Sequence, residues 1–382
     1  MPKVPTVILL IESSRASGRS FLRGVANYAR LHGPWAFSWQ PAGMEPGQPL
    51  PTGLDADGII TRDVGGIENV LARRLPAIVF GYHGESYRGL ATVVADSVMV
   101  GQLAAEHLLD CGFQHFAFYG LEDAFWSDQR SVSFQRHIAA AGFPSLTYLS
   151  SARAAGRPWK DEHQRLIVWL KSLPKPVGLM ACNDDLGQQV IEACKSAGLA
   201  VPDDVAILGA DNDELVCELS DPPLSSVVIN FEQAGYESAR LLDRLMRGQR
   251  VTQEMILARS SHVVARQSTD IINVSDPAVA RSLRFVREHA REAIQVADAV
   301  RASGLSRRVL EKRFRALLGR SILSEIRRVR VGQICRMLTE TNHPISEIAL
   351  ALGYTSIEHI ARYFRSEKKL TPLAYRKQFG PK

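Results

Sequence analysis

The chain lacks the features of membrane, disulfide-bonded and disordered proteins. Its 382 residues hold five cysteines, none in a CxxC pair, which argues against a disulfide framework and a zinc site. No apolar run approaches the ~18 residues needed to cross a bilayer, and the run at 7–11 has no basic leader before it. The content of hydrophobic residues, 46%, is ordinary for a globular protein. We therefore expect a cytoplasmic protein with reduced thiols, no membrane contact and two or three domains.

Sequence motifs of common enzyme classes are also missing. The chain has no GxSxG elbow, no HExxH, no Walker A loop and no G-x-G-x-x-G after its first apolar run. Its histidines share no spacing typical of metal ligands. We therefore expect neither catalysis nor a cofactor. The paired carboxylates Asp184-Asp185 and Asp211/Asp213 keep a hydrolase or metal site as an alternative.

The net charge of +6 is divided unevenly along the chain. From residue 280 to the end there are 22 Lys and Arg against nine Asp and Glu, a net of +13, and the rest of the chain carries a net of −7. A basic segment joined to an acidic one is typical of a nucleic-acid-binding module attached to another domain. The charge alone also fits a solvated basic surface without a partner.

Roughly the first 270 residues alternate short β-branched runs with helical stretches, which predicts βαβ units and parallel sheets. The strand candidates are residues 7–11, 58–61, 77–80, 91–94, 115–119, 177–181, 205–209 and 226–229. They are mostly apolar, as strands covered by helices on both faces must be. Eight strands are many for one sheet, so we expect an α/β fold with two lobes that face each other across a cleft.

The pattern changes at a polar stretch that ends near Asp276-Pro277. After it, strand signals vanish and the periodicity is helical to the end of the chain. An α/β portion followed by a basic all-α portion indicates separately folded units. We assign residues 1–268 to the two-lobed α/β domain, 269–278 to a linker and 279–382 to an all-α C-terminal domain.

The C-terminal domain contains two helix-turn-helix patterns, and the first turns at Gly304. Ser306 is placed to cap the second helix of this pattern. Leu310, Phe314 and Leu317 recur at i, i+4 and i+7 and predict its buried stripe. Its opposite face would enter the major groove of DNA. The charged residues predicted on that face are Arg307, Arg308, Glu311, Lys312 and Arg315.

The second pattern turns at Gly353, 49 residues after Gly304, and predicts a buried stripe of Ile357, Ile360 and Phe364. The residues predicted to face DNA are Ser356, Glu358, His359, Arg362 and Arg365. A helix over 324–339 would fix the spacing of the two reading helices, which successive major grooves require to be ~34 Å. The alternative is a plain helical bundle.

The C-terminal domain resembles the DNA-binding domain of the AraC family. The second block, which ends in Thr371-Pro372 and Tyr375-Arg376, is highly specific to that family, and the turn residues around Gly304 and Gly353 match it as well. The resemblance covers about 100 residues and implies two DNA-reading helices. Val300 and Ile360 depart from the usual residues, but both are apolar exchanges in a core.

Polar side chains follow several of the predicted strands, at the edge where ligands bind in open α/β sheets. The candidates for effector contact are Ser14, Asp96, Trp126, Arg130, Asn183, Asp184 and Asp211. Carboxylates and amides accept hydrogen bonds from vicinal hydroxyls, an arginine fork donates them, and an indole offers an apolar face. This chemistry suits a sugar or polyol. The alternatives are helix capping for Asp96 and Asp184, and a structural ion pair for Arg130.

Residues 94–120 and 202–212 resemble the LacI-type, periplasmic-binding-protein-like effector domain, and the P-D-D-V-x-I-x-G-x-D-N segment is the most telling match. The resemblance implies that five of the candidates contact the effector: Asp96, Arg130, Asn183, Asp184 and Asp211. The loop after the first strand and residues 81–83 diverge from the family pattern, so the match does not specify the sugar.

Together the two resemblances imply a sugar-responsive DNA-binding transcription regulator, an activator of pentose catabolism. The expected partners are promoter DNA, D-xylose or another monosaccharide, a second copy of the chain in a homodimer, and RNA polymerase. Two alternatives remain open at this point: a sugar receptor with no DNA role, and a sugar-acting enzyme.

Overall fold

The computed structural model describes residues 4–43, 56–63, 72, 74–81, 90–151, 159–249, 255–271, 274, 276–354 and 356–380. Within these residues the fold predicted from the sequence is confirmed, with two α/β lobes on parallel sheets followed by a helical C-terminal domain.

Lobe 1 is built on a parallel sheet with the strand order β11-β5-β4-β3-β1-β2. Its elements are β1 (Thr6–Leu10), α1 (Ala16–His32), β2 (Ala36–Trp39), β3 (Gly58–Arg62), β4 (Ala77–Phe80), β5 (Ala91–Ala95), α7 (Phe231–Met246) and β11 (Met255–Ala258). Helices α1 and α7 cross in close contact at Gly24. A Cβ at this position would lie 1.9 Å from the carbonyl oxygen of Glu232, so only glycine fits.

Lobe 2 is built on a second sheet with the order β12-β10-β9-β8-β6-β7, in which β12 is antiparallel to β10. Its elements are α2 (Ser97–Asp110), β6 (Phe116–Leu121), α3 (Phe125–Ala140), β7 (Ser145–Ser150), α4 (Trp159–Ser172), β8 (Val177–Ala181), α5 (Asp184–Ala197), β9 (Val205–Asp211), α6 (Glu214–Leu219), β10 (Ser225–Ile229) and β12 (Ser260–Val264). The chain passes between the lobes three times: after β5, after β10 and between β11 and β12.

All eight predicted strands are present, with ends that differ by at most two residues. The prediction missed four further strands: β2, β7, β11 and β12. Each of them lies at an edge of its sheet. An edge strand is partly exposed to solvent and carries more polar residues, so it lacks the continuous apolar run that marks a buried strand.

The C-terminal domain consists of α8 (Pro277–Glu288), α9 (Val296–Ser303), α10 (Arg307–Leu318), α11 (Ile322–Glu340), α12 (Ile345–Ala351), α13 (Ile357–Lys368) and α14 (Pro372–Phe379). One small core forms around Leu310 and Phe314, and a second forms around Ile360 and Phe364. The first half of α11 packs in one core and its second half in the other. The helix expected to space the two helix-turn-helix motifs is therefore confirmed.

Three details of the motifs differ from the prediction. Leu317 and Ile357 were predicted to be buried but are 41% and 47% exposed. Leu317 lies in the last turn of α10, where Leu318 packs against the core instead, and Ile357 is the first residue of α13. Ser306 occupies the N-cap position of α10, but its side chain makes no capping hydrogen bond.

Neither a membrane span nor a metal cluster is found in the part of the chain that the structure describes. No described helix is both long enough and apolar enough to cross a bilayer. The same residues contain no group of three or more His, Cys, Asp and Glu side chains arranged to hold a metal ion.

Candidate functional site

Buried Arg130 and partly buried Asp211 form an ion pair at the carboxyl edge of the lobe 2 sheet. Arg130 projects from α3 and is only 2% exposed. Its Nη2 donates to Oδ1 of Asp211 at 3.0 Å, and its Nη1 donates to the carbonyl of Cys182. The guanidinium lies 4.9 Å from the ring centre of Trp126. Among the described residues its Nε–H has no acceptor, so one donor of the fork is left for a ligand.

Asp211 ends β9 in an uncommon backbone conformation. Its φ is +102°, and that of Asn212 is +50°. Two consecutive non-glycine residues with positive φ cost free energy and persist only where surrounding contacts hold them, which is frequent at binding sites. Burial raises the pKa of Asp211 although the charge of Arg130 opposes this effect.

Asn183 and Asp184 have different roles at the start of α5. Asn183 is the N-cap, and its Oδ1 accepts from the N–H of Leu186 at 2.9 Å. Asp184 is buried behind it, where its carboxylate accepts from the Ser226 hydroxyl at 2.6 Å and from the Asp213 N–H at 2.7 Å. Burial and the nearby charge of Asp211 raise the pKa of Asp184. The capping role considered for Asp184 therefore belongs to Asn183.

The remaining effector candidates lie on other elements. Asp96 caps α2, where its carboxylate accepts from the N–H of Met99 at 3.1 Å. Ser14 is exposed in the loop between β1 and α1, and its carbonyl accepts from Arg19 at 2.9 Å. Residues 82 and 83, whose divergence from the family pattern the sequence showed, lie outside the described residues.

Three of the seven candidates line one small cavity of about 20 Å³ between the lobes. Its lining consists of Arg15, Ala16, Ser17, Asn183, Asp184, Asp185, Asp211 and Asp213. The structure therefore brings Asn183, Asp184 and Asp211 together, and joins Arg130 to them through Asp211.

The sequence prediction missed the contacts that join the lobes at this cavity. Arg15 of lobe 1 pairs with Asp185 of lobe 2 at 3.1 Å. Asp213 of lobe 2 accepts from the N–H of Ala16 at 2.9 Å and pairs with Arg19 at 3.2 Å. The position of Arg15, a charged residue in the loop between β1 and α1, could have indicated its role in the cleft. Asp213 and Ala16 are 197 residues apart, and nothing local in the sequence pairs them.

The two reading helices, α10 and α13, expose most of the side chains predicted to contact DNA. The exposed ones are Arg307, Arg308, Lys312, Arg315, Ser356, Glu358, His359, Arg362 and Arg365. Glu311 is partly buried, and Ser356 also caps α13 by accepting from the N–H of His359 at 3.1 Å. Neighbouring Arg313 instead pairs with Asp276 at 2.7 Å and so ties α10 to the start of α8.

A buried ion cluster connects lobe 2 to the C-terminal domain. Asp110, at the end of α2, pairs with Arg320 at 2.8 Å and with Arg328 at 2.6 Å. Both arginines also pair with Glu325, which is fully buried on α11. Nearby, the Tyr375 hydroxyl donates to the carbonyl of Ser261 on β12 at 3.1 Å. The DNA-reading domain is thus docked against lobe 2.

Two family models match separate parts of the chain. Residues 105–269 match the family model of the periplasmic binding protein-like domain, and residues 299–378 match that of a helix-turn-helix domain. The transcriptional regulator CelR, solved with cellobiose, is 20% identical with a TM-score of 0.54 over 70% of this chain and 86% of its own, which shows a shared fold.

Other relatives match nearly the whole chain. The xylose operon regulatory protein of Haemophilus influenzae is 31% identical over 331 residues, 85% of each chain. That of Escherichia coli K12 is 32% identical over 328 residues, 84% of this chain and 83% of its own. A solved structure of the xylose-binding transcription activator xylR is 30% identical, with a TM-score of 0.63 over the full length of both chains.

A periplasmic-binding-protein-like sensor joined to tandem helix-turn-helix motifs defines a DNA-binding transcription regulator. The identity to the bacterial regulators over more than four-fifths of the chain is more specific. The chain belongs to the family of xylose operon regulatory proteins.

Proposed function

We propose that this protein is a sugar-responsive activator of pentose catabolism genes, with D-xylose as its effector. One observation supports this above the others: Asp211, paired with the buried Arg130, lines an interlobe cavity on the same chain as two exposed DNA-reading helices. The relatives named for xylose support the choice of sugar.

The effector set that we propose is Ser14, Asp96, Trp126, Arg130, Asn183, Asp184 and Asp211. Within this set, the unpartnered Nε–H of Arg130 donates to a sugar oxygen, and the free lone pairs of Asp211 accept from a hydroxyl. The indole of Trp126 offers its face to the apolar side of the ring. Asp184 acts through its neighbours, since both of its oxygens already accept hydrogen bonds.

On the DNA side, the basic residues of α10 and α13 read base edges and neutralise phosphates, while the other exposed residues of the two helices adjust the fit.

We assign the sensor to residues 1–268, the linker to 269–278 and the DNA-binding domain to 279–382. In our proposal the protein acts in the cytoplasm as a homodimer on repeated half-sites, recruits RNA polymerase, and leaves the sugar chemically unchanged. Closure of the lobes alters how two protomers present their reading helices. The sugar shifts the equilibrium toward the closed state by its difference in affinity for the closed and open states.

A titration of promoter DNA with the full chain, with and without D-xylose, tests the proposal. We expect the sugar to change affinity, stoichiometry or half-site spacing. Replacing Arg307 and Arg308 together by alanine should abolish specific DNA binding and leave xylose binding intact, with Arg136→Ala, an exposed position on lobe 2, as the control. A DNA affinity that no pentose or hexose changes would refute the effector role. Sugar recovered in altered form would indicate an enzyme instead.

A further inference from the structure

In the part of lobe 1 that the structure describes, no side chain caps the start of helix α1. Arg15 occupies the N-cap position, but its side chain makes no capping hydrogen bond. The first helical N–H, that of Ala16, donates instead to Oδ2 of Asp213 at 2.9 Å. Asp213 belongs to lobe 2, where it follows β9 directly. The N-terminus of a lobe 1 helix is therefore capped from across the cleft.

A second contact strengthens this cap. Arg19, one turn further along α1, donates from Nη2 to both carboxylate oxygens of Asp213 at 3.2 Å. The same arginine is held in place by the carbonyls of Ser13 and Ser14. Asp213 is only 9% exposed, so its charge is weakly screened and lies at the positive end of the helix dipole. Because the partners belong to different lobes, these contacts exist only while the lobes are closed.

The backbone of Asp213 is in turn held by the proposed sugar site. Its N–H donates to Oδ2 of Asp184 at 2.7 Å, and Oδ1 of Asp184 accepts from Ser226 at 2.6 Å. The two residues before it, Asp211 and Asn212, have positive φ and turn the chain toward Asp184. A side chain at position 209 would displace Asp184, since a Cβ there would lie 2.3 Å from its Oδ1. The carboxylate of Asp213 is thus aimed at α1 by residues adjacent to the ligand contacts.

We infer that Asp213 is a positioning residue for effector binding: it couples occupancy of the Arg130–Asp211 site to lobe closure by capping α1 from the opposite lobe. This inference rests on the proposed function. A second interlobe pair among the described residues, Arg15–Asp185, is about 40% exposed on both sides, and an exposed pair of this kind contributes little. The coupling therefore depends on Asp213.

The test compares Asp213→Asn with Glu214→Gln in the full chain. Glu214 is the adjacent carboxylate and is exposed. We expect Asp213→Asn to weaken D-xylose affinity roughly five- to tenfold, the scale of one lost ion pair with Arg19 and one weakened cap, because the amide oxygen of asparagine still accepts from Ala16. Glu214→Gln should bind like the wild type. In a double-mutant cycle with Arg19→Gln the two losses should be non-additive, because the side chains contact each other.

Lobe separation provides a readout that a merely structural role would not change. Spin labels at Leu31→Cys on lobe 1 and Val168→Cys on lobe 2 occupy exposed positions, and all five native cysteines are buried. Asp213→Asn should shift the distance distribution toward longer values, and Glu214→Gln should not. Wild-type distances and wild-type affinity in Asp213→Asn would overturn the inference. A wild-type chain that binds no pentose would refute the proposed function instead. The distance measurement would still test whether Asp213 holds the lobes together, because it needs no sugar.

Discussion

A buried arginine destabilises a fold unless its donors find acceptors. Two nitrogens of Arg130 meet this condition through the Asp211 carboxylate and the Cys182 carbonyl, while its Nε–H has no acceptor among the described residues. The indole of Trp126 covers one face of its guanidinium. The two interpretations of Arg130, as a structural ion-pair partner and as a sugar contact, are therefore compatible. In our proposal the ion pair positions both side chains, and the Nε–H donor of Arg130 that has no acceptor among the described residues contacts the sugar.

Replacing Arg130 with methionine should impair both stability and sugar binding. The variant leaves the partly buried carboxylate of Asp211 without its partner, which costs about 3 kcal/mol of unfolding free energy, the low end of the range for broken buried pairs. D-xylose affinity should fall by more than tenfold. Urea unfolding and calorimetric titration measure the two effects. Arg136→Met, on the exposed face of the same helix, should change neither. Unaltered xylose affinity in Arg130→Met would remove this residue from the site.

At the scale of elements, two helical glycines differ in whether packing requires them. Gly187 lies on the buried face of α5, where a Cβ would approach Leu224 to 2.7 Å. Gly332 lies in the middle of α11 with open space around it. The first glycine is required by a close approach, whereas the second only weakens its helix, because glycine is a poor helix former.

Gly332→Ala should therefore stabilise the DNA-binding domain by about 0.5–1 kcal/mol, and Gly187→Ala should destabilise lobe 2 by about 1–3 kcal/mol through overpacking. Thermal and denaturant unfolding of the full chain measure both changes. A loss of stability in Gly332→Ala would contradict the open space described around position 332.

At the scale of the whole molecule, one helix runs from a proposed effector residue to the DNA-binding domain. Helix α2 starts at its cap, Asp96, and ends at Asp110, which pairs with Arg320 and Arg328 of the DNA-binding domain. Its 14 residues span about 21 Å. Burial raises the pKa of Asp110, since the two arginines only partly offset it. Burial acts the same way on Glu325, but there the three hydrogen bonds from the same arginines prevail and lower the pKa to about 2.

The junction should weaken in acid through Glu325. A carboxyl whose pKa is lower in the folded chain contributes stability above its unfolded pKa, near 4.5, and loses it as the pH falls toward 2. The contribution is on the order of 3 kcal/mol. Glu325→Gln should be less stable than the wild type at pH 7, and this difference should shrink as urea unfolding is repeated from pH 5 down to pH 3. A difference that stays constant over this range would contradict the low pKa.

Local patterns in the sequence determined much of this protein. Apolar runs predicted the central strands, helical periodicity and glycine turns predicted both helix-turn-helix motifs, and the basic C-terminal segment predicted the DNA-binding surface, because each of these signals lies within a few turns of chain. Only the tertiary structure decided which polar group meets which. Asn183 rather than Asp184 caps α5, and Asp213 reaches a helix 197 residues away. Edge strands, interlobe caps and the Asp110 cluster depend on neighbours that are distant in sequence. Local periodicity in the sequence does not indicate such contacts.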